Sequence, residues 1–307
     1  MRHRKGTPIS GWLNVDKPVG PSSSAVVGRL KRGFGAAKVG HGGTLDPLAS
    51  GVLPIAFGEA TKVIGFVVDA AKLYRFTVRW GEARTTDDAE GAVLETSPHR
   101  PSAAAIAAAL PRFTGAIEQV PPCFSAIKLD GKRAYALARA GAPVAPAPRR
   151  VEVHELRLIG QPDPDQAVLE VGCGKGTYVR SLARDLAVAL GTVGHVAALR
   201  RLAVGRFRAE TAIKLDLLIE LGHSAAALER LLPILTPLAD IPAVAVTGAE
   251  AELIRNGQAV PAVGLGRPGP SNPFREGDVV SVTAGEIPVA MARIDSGQLR
   301  PVRVFNL

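Results

Sequence analysis

The stretch Lys38 to Pro54, KVGHGGTLDPLASGVLP, gathers more chemically useful groups than any other part of the chain. Gly40, Gly42, Gly43 and Gly51 surround His41, Thr44 and Asp46, and Pro47 follows the aspartate. Glycine permits positive φ and close backbone approach, and a residue before proline is held extended. Asp46 is therefore expected on a stiff, tightly turned loop that can present a carboxylate to a substrate. On this pattern alone two readings compete: a nucleophile or base, and an aspartate that only closes its own turn. The stretch lacks the G-x-x-x-x-G-K-[ST] of a phosphate-binding loop and the spacing of a dinucleotide fingerprint. Elsewhere there is no H-E-x-x-H or C-x-x-C arrangement, and Cys123 and Cys173 are the only cysteines. Neither a metal centre nor a disulfide framework is expected, and a reducing compartment fits.

The elements that must position these groups are mixed. Ser22 to Lys31 reads as a helix capped by Ser22 or Ser23, with Val26, Val27 and Leu30 on one face. Leu73 to Trp80 alternates Tyr74, Phe76, Val78 and Trp80 with polar partners, as a half-buried strand does. Alanine-rich Ser102 to Leu110, between Pro101 and Pro111, is a helix by propensity. Val151 to Leu158 and Ala167 to Cys173 read as strands, and Ser181 to Leu190 as an amphipathic helix ended by Gly191. Pro233, Pro237 and Pro242 mark a boundary. After it come a short helix near Ala249 to Asn256 and strands at Asp278–Thr283, Pro288–Ile294 and Leu299–Phe305. Gly/Pro-rich Pro261 to Asn272 reads as a loop.

Charge names a class of partner. The 307 residues carry 37 Lys plus Arg against 28 Asp plus Glu, a formal charge of +9. Residues 1–40 hold eight basic residues against Asp16 alone, and residues 175–208 hold seven against Asp185 alone. Residues 210–252 are acidic, and Ala245 to Leu307 balances six arginines with six acids. Two separated basic runs in the first two-thirds point to a shared anion-binding face, with nucleic acid as the leading partner. There is no run of about 18 apolar residues and no secretory leader, so a membrane partner is not expected and the location expected is cytoplasmic.

Taken together, several segments resemble the TruB family of tRNA pseudouridine-55 synthases. Lys38 to Pro54 is similar to its G-H-T-G-T-L-D-P-x-A-x-G-V-L motif, and Leu13 to Ser22 (LNVDKPVGPS) to its K-P-x-G-x-[TS] motif. Lys72 to Gly91 resembles the K-x-Y strand followed by T-x-D-x-x-G, and Gln119 to Tyr135 the Q-x-P-P-x-[FY]-S-A-x-K block. Gly174 to Leu182 (GKGTYVRSL) and His195 to Leu202 (HVAALRRL) match the K-G-T-Y-x-R-S and H-x-x-x-L-R-R signatures. The segments run in order across about residues 11 to 205. Two positions depart from the pattern: Gly42 where the family has Thr, and Arg84 where a first Thr is common.

The resemblance implies an α+β fold: a mixed, mainly antiparallel catalytic sheet with flanking helices and loops over 11–236, preceded by a basic tail (1–10). A small β-rich, PUA-like domain over 237–307 follows, a weaker match resting on Leu253 to Gly257 and the closing strand to Phe305. It implies conversion of uridine 55 in the tRNA T-loop to pseudouridine with no cofactor, by a monomer that needs no obligate protein partner. Asp46 takes the role of nucleophile or base, Arg180 pairs with it to keep it ionised, and Asp88 orients Arg180 from behind. Tyr74 stacks on the base, and Tyr178 and Leu199 line the pocket. Tyr74 or a water takes the C5 proton. His41 fills the place of the flipped base, or is a loop histidine bonded to backbone. Lys17 supports the pocket or pairs within its own motif, Lys62 contacts phosphate, and His195 is structural. Residues 128–150 form an arm that clamps the T-loop, or an ordinary hairpin. The competing function is a non-catalytic tRNA-binding or folding chaperone on the same scaffold.

Overall fold

The computed structural model describes residues 6–125, 127–129, 132–133, 146–262 and 274–307. In chain order the first strands are β1 (Gly11–Lys17), β2 (Val39–His41), β3 (Ala49–Phe57), β4 (Lys72–Trp80), β5 (Glu82–Arg84) and β6 (Val93–Thr96). Next come β7 (Gly115–Gln119), β8 (Lys128–Leu129), β9 (Lys132–Arg133), β10 (Arg149–Asp163) and β11 (Gln166–Cys173). The sheet is completed by β12 (Gly194–Val204), β13 (Phe207–Arg208) and β14 (Ile213–Lys214). A second sheet uses β15 (Ala243–Ala245), β16 (Val260–Pro261), β17 (Val279–Ala284), β18 (Ile287–Asp295) and β19 (Gln298–Val304).

The main sheet runs β14-β1-β3-β12-β4-β11-β10-β7, with β2 added to β3 and β13 to β12. Its pairs are antiparallel except β1 with β14 and β3 with β12. Strands buried on both faces must be apolar at nearly every position, and β3 is: eight of its nine residues are buried. Leu13, Val15, Leu53, Ile55 and Phe57 face the larger core with Val26, Leu30, Leu182 and Leu186. The alternate positions Trp12, Val52 and Ala56 face a second core with Phe207, Ile234, Leu238, Met291 and Phe305. The period-two division of β1 and β3 is what lets one sheet carry helices on one side and the C-terminal module on the other.

That module is the PUA-like one expected: β17, β18 and β19 form an antiparallel meander flanked by β15 and β16. The helix Gly248–Arg255 closes it, with a Thr247/Glu250 capping box at its start. The mixed α+β class, mainly antiparallel with flanking helices, is likewise as expected.

Several boundaries moved. The helix expected from Ser181 starts at Val179, so Tyr178 is its N-cap residue. Strand β10 runs over 15 residues although only Val151 to Leu158 was legible, because register shifts after Val153 and Leu158 break its alternation. Most of the arm over 128–150 lies outside the described residues, as do Tyr135 and positions 263–272 of the Pro261–Asn272 loop; the backbones of β8 and β9 pair with one another. Among the described residues no helix is long and apolar enough to cross a membrane.

Candidate active site

Asp46 sits on the loop between β2 and β3, and that loop is held from three directions. Ser23, at the start of the helix Ser23–Gly33, donates its hydroxyl to Leu45 O at 2.9 Å and accepts from Leu45 N at 2.8 Å. Lys17 reaches over from the end of β1 and donates Nζ to Pro18 O, Pro21 O and Pro47 O at 2.8, 2.9 and 3.3 Å. Arg201 of β12 donates Nη2 to Gly43 O at 3.0 Å, Nη1 to Thr44 O at 3.2 Å and Nε to Val52 O at 2.7 Å. The glycines are needed for this approach. Gly51 has φ +102°, and a Cβ there would overlap the Arg201 carbonyl oxygen.

Arg180, on the first turn of the helix Val179–Ala189, lies between two carboxylates. Its Nη2 is 3.0 Å from Asp46 Oδ2, and its Nη1 is 3.5 Å from Asp88 Oδ2. Its side chain and that of Asp88 are each only 4% exposed, whereas Asp46 keeps 34% of its side-chain surface. Nη1 and Nη2 also donate to Thr86 O and Phe124 O, at 2.8 and 2.9 Å. Asp88 is itself held by the Thr86 hydroxyl and the Glu90 amide. A guanidinium so tied cannot swing away, and the one carboxylate it leaves accessible is Asp46. A buried arginine with a partly open carboxylate is a charged pair poised toward whatever enters the space beside it.

That space is a cavity of about 370 Å³ whose lining includes Asp46, Lys72, Tyr74, Tyr178, Arg180 and Leu199. On the other side of the Asp46–Arg180 pair a smaller cavity, about 280 Å³, is bounded by Ser22 to Ser24, Asp88 and Phe124. Burial pushes the Tyr74 phenol above its ordinary pKa, and the charge of Arg201 opposes it. Lys72, two residues before Tyr74, donates Nζ to Val68 O and Ala70 O. Burial, reinforced by Arg201, lowers its pKa to about 8.

The structure thus brings Asp46, Tyr74, Tyr178, Arg180 and Leu199 around one cavity, with Asp88 behind Arg180. Four other residues stand elsewhere. Lys17 is fully buried and bonds backbone carbonyls, so it supports the loop and has no free proton donor surface for phosphate. Its pKa is lowered to about 8, mostly by burial. Lys62 does not reach the cavity: it pairs with Glu59 and donates to Val304 O at 2.7 Å, bridging to β19. His41 lies on β2 opposite Ile55, half-buried, with Nδ1 buried and without a hydrogen-bond partner. It lies outside the lining of both cavities. Burial, then Arg201, lowers its pKa. His195 is buried, with Nδ1 2.8 Å from Glu82 O.

Sequence reasoning passed over three residues. Gln119 on β7 clamps the Tyr178 backbone on both sides, accepting from Tyr178 N at 2.7 Å and donating to Tyr178 O at 3.0 Å. Arg149, opposite Gln119 in register, places its guanidinium 4.9 Å from the Tyr178 ring centroid. Arg201 braces the Asp46 loop. Gln119 and Arg201 stand inside the quoted motifs, which was the available signal; Arg149 had none.

Residues 31–179 match the family described as TruB family pseudouridylate synthase (N terminal domain), and residues 180–240 match the tRNA pseudouridylate synthase B C-terminal domain. The tRNA pseudouridine synthase B of Rhodospirillum rubrum is 56% identical over 306 residues, covering 100% of this chain and 99% of that protein. That of Gluconacetobacter diazotrophicus is 52% identical over 307 residues, covering 99% and 100%. Among solved structures, a chain of a Cbf5-Nop10-Gar1 complex superposes with a TM-score of 0.72 at 25% identity, covering 96% of this chain and 84% of that one. A chain of an H/ACA RNP bound to a substrate RNA containing 2′-deoxyuridine gives 0.74 at 23% identity, covering 100% and 92%.

Proposed function

Since the chain belongs to the TruB family of pseudouridine synthases, we propose that it converts uridine 55 in the T-loop of tRNA to pseudouridine, with Asp46 as the catalytic nucleophile. The observation that carries this reading is the 3.0 Å Asp46–Arg180 pair at the edge of a cavity walled by Tyr74, Tyr178 and Leu199. Breaking the N1–C1′ bond calls for a carboxylate that stays ionised in a closed site, as in glycoside hydrolysis. Arg180 stands 3.0 Å from it as its charge partner, and Asp88 holds Arg180 from behind. The uracil, once detached, must turn and rejoin through C5 without escaping. Tyr74 offers a stacking face, and Gln119 and Arg149 keep Tyr178 in place as the opposite wall. The base must leave its stack to enter, at a cost on the order of a few kcal/mol. The isomerisation is redox-neutral and moves no group between molecules, so its chemistry requires no cofactor.

The test is hydrogen release from tRNA tritiated at uracil C5, with wild type beside Asp46→Asn. Turnover in wild type and its loss in the asparagine variant, with tRNA binding retained, is the expected result. Full turnover by Asp46→Asn would remove the nucleophile. Tight tRNA binding by a wild-type protein that releases nothing would favour the chaperone.

A further inference from the structure

Arg201 is 1% exposed, and its bonds to Val52, Thr44 and Gly43 are all to carbonyl oxygens. Among the described residues it makes no ion pair with a carboxylate within 4.0 Å, unlike Arg180. A buried guanidinium hydrogen-bonded only to peptide carbonyls has no counter-ion beside it to neutralise its charge. Five N–H groups belong to a guanidinium, and the three carbonyls leave two of Arg201's over.

Sheet register sets which residues stand beside Arg201 on the neighbouring strands. Strand β12 pairs antiparallel with β4 so that Arg201 stands opposite Tyr74, and parallel with β3 so that it stands opposite Gly51. Directly opposed residues project to the same face of a sheet. With no side chain at Gly51, the cation and the phenol share one stretch of wall, and both line the cavity that holds Asp46.

We infer that Arg201 is a positioning residue for the last proton transfer of the proposed reaction: it holds the Asp46 loop and the Tyr74 phenol in one frame, and its uncompensated charge stabilises the Tyr74 phenolate that takes the proton from C5. This rests on the pseudouridine synthase reading. Once C5 is joined to C1′, the C5–H pair becomes the C5=C6 double bond and the C6=N1 pair moves onto N1. The proton goes to the Tyr74 oxygen and on to water, N1 takes one up, and nothing is oxidised or reduced. Of the groups facing the phenol, Asp46 from the loop and Cys173 from β11 both favour its neutral form, as does burial. Lys72, on the same strand, lines the same cavity but gives its donors to Val68 and Ala70. Arg201 is the counterweight, through its charge.

The chain has three tyrosines, so its phenols can be followed one by one. In full-length protein labelled with 3-fluorotyrosine, Tyr74→Phe assigns the ¹⁹F signal of Tyr74. In Arg201→Gln its titration midpoint should rise by about one unit or more, with Arg201→Lys between the two. With tRNA deuterated at uracil C5, Arg201→Gln should lose about 10–100-fold in kcat with KM nearly unchanged, and a C5 isotope effect should emerge that wild type lacks. An unmoved ¹⁹F midpoint together with an unchanged isotope effect would overturn the inference. If Arg201→Gln does not fold, Arg201→Lys with the same two readouts decides. Absence of C5 hydrogen release in wild type would instead sink the proposed function, whatever the ¹⁹F titration shows.

Discussion

A lysine could carry the charge of Arg180 but not its geometry. The guanidinium spans Asp46 and Asp88 while donating to Thr86 O and Phe124 O, and an ammonium point charge cannot meet all four from one place. Arg180→Lys is therefore expected to keep tRNA affinity within about threefold while kcat falls about 100-fold or more, the usual loss for a misplaced charge-stabilising group. Single-turnover rates beside filter-binding affinities check it; equal rates would take Arg180 out of the chemistry. A second expectation concerns Lys17 and Lys72, both with pKa lowered to about 8 by burial. Above pH 8 the folded protein sheds these protons while the unfolded chain, titrating near 10.5, keeps them. Unfolding free energy should therefore rise from pH 8 to 9, and the rise should shrink in Lys72→Met. Urea midpoints at the two pH values measure it.

Strand β3 and the loop before it show why Gly42 departs from the family pattern. A Cβ on Gly42 would lie 2.5 Å from Val67 Cγ1, on the helix Ile64–Asp69 that packs over this edge. The space a threonine would fill is already occupied by valine. Gly42→Thr alone is thus an overpacking change, expected to destabilise by about 1–3 kcal/mol. Gly42→Thr with Val67→Ala should recover most of that loss, and a double-mutant cycle by urea denaturation would read the coupling. Additive effects would mean the two side chains do not compete for one site.

Seen whole, the C-terminal module is docked firmly onto the catalytic sheet. Phe305 and Met291 are buried in one core with Trp12, Val52 and Phe207. Asn306 N donates to Glu59 Oε2 at 2.7 Å, and Lys62 bonds Val304 O on the same edge. Phe305→Ala should cost about 3–5 kcal/mol. Because that core is shared, thermal unfolding followed by calorimetry should move as a single transition. Loss of the second sheet ahead of the first would show that the junction does not couple them.

Much of the site could be read from the chain alone. Asp46, Tyr74, Tyr178 and Arg180 stand in local motifs, and the resemblance of those motifs to one family, more than the residue types alone, singled them out. The PUA-like meander and the helix Ser23–Gly33 were legible because short-range patterning determines them. What remained hidden depends on register between strands distant in sequence. Arg201 meets Tyr74 because β12 pairs with β4, and Arg149 meets Tyr178 because β10 lies beside β7. The fate of Lys62 turns on where β19 docks. The residues of the sequence marked which groups could carry the proposed chemistry. Tertiary structure decided which of them meet, because a one-residue slip in any of those pairings would turn each side chain to the opposite face.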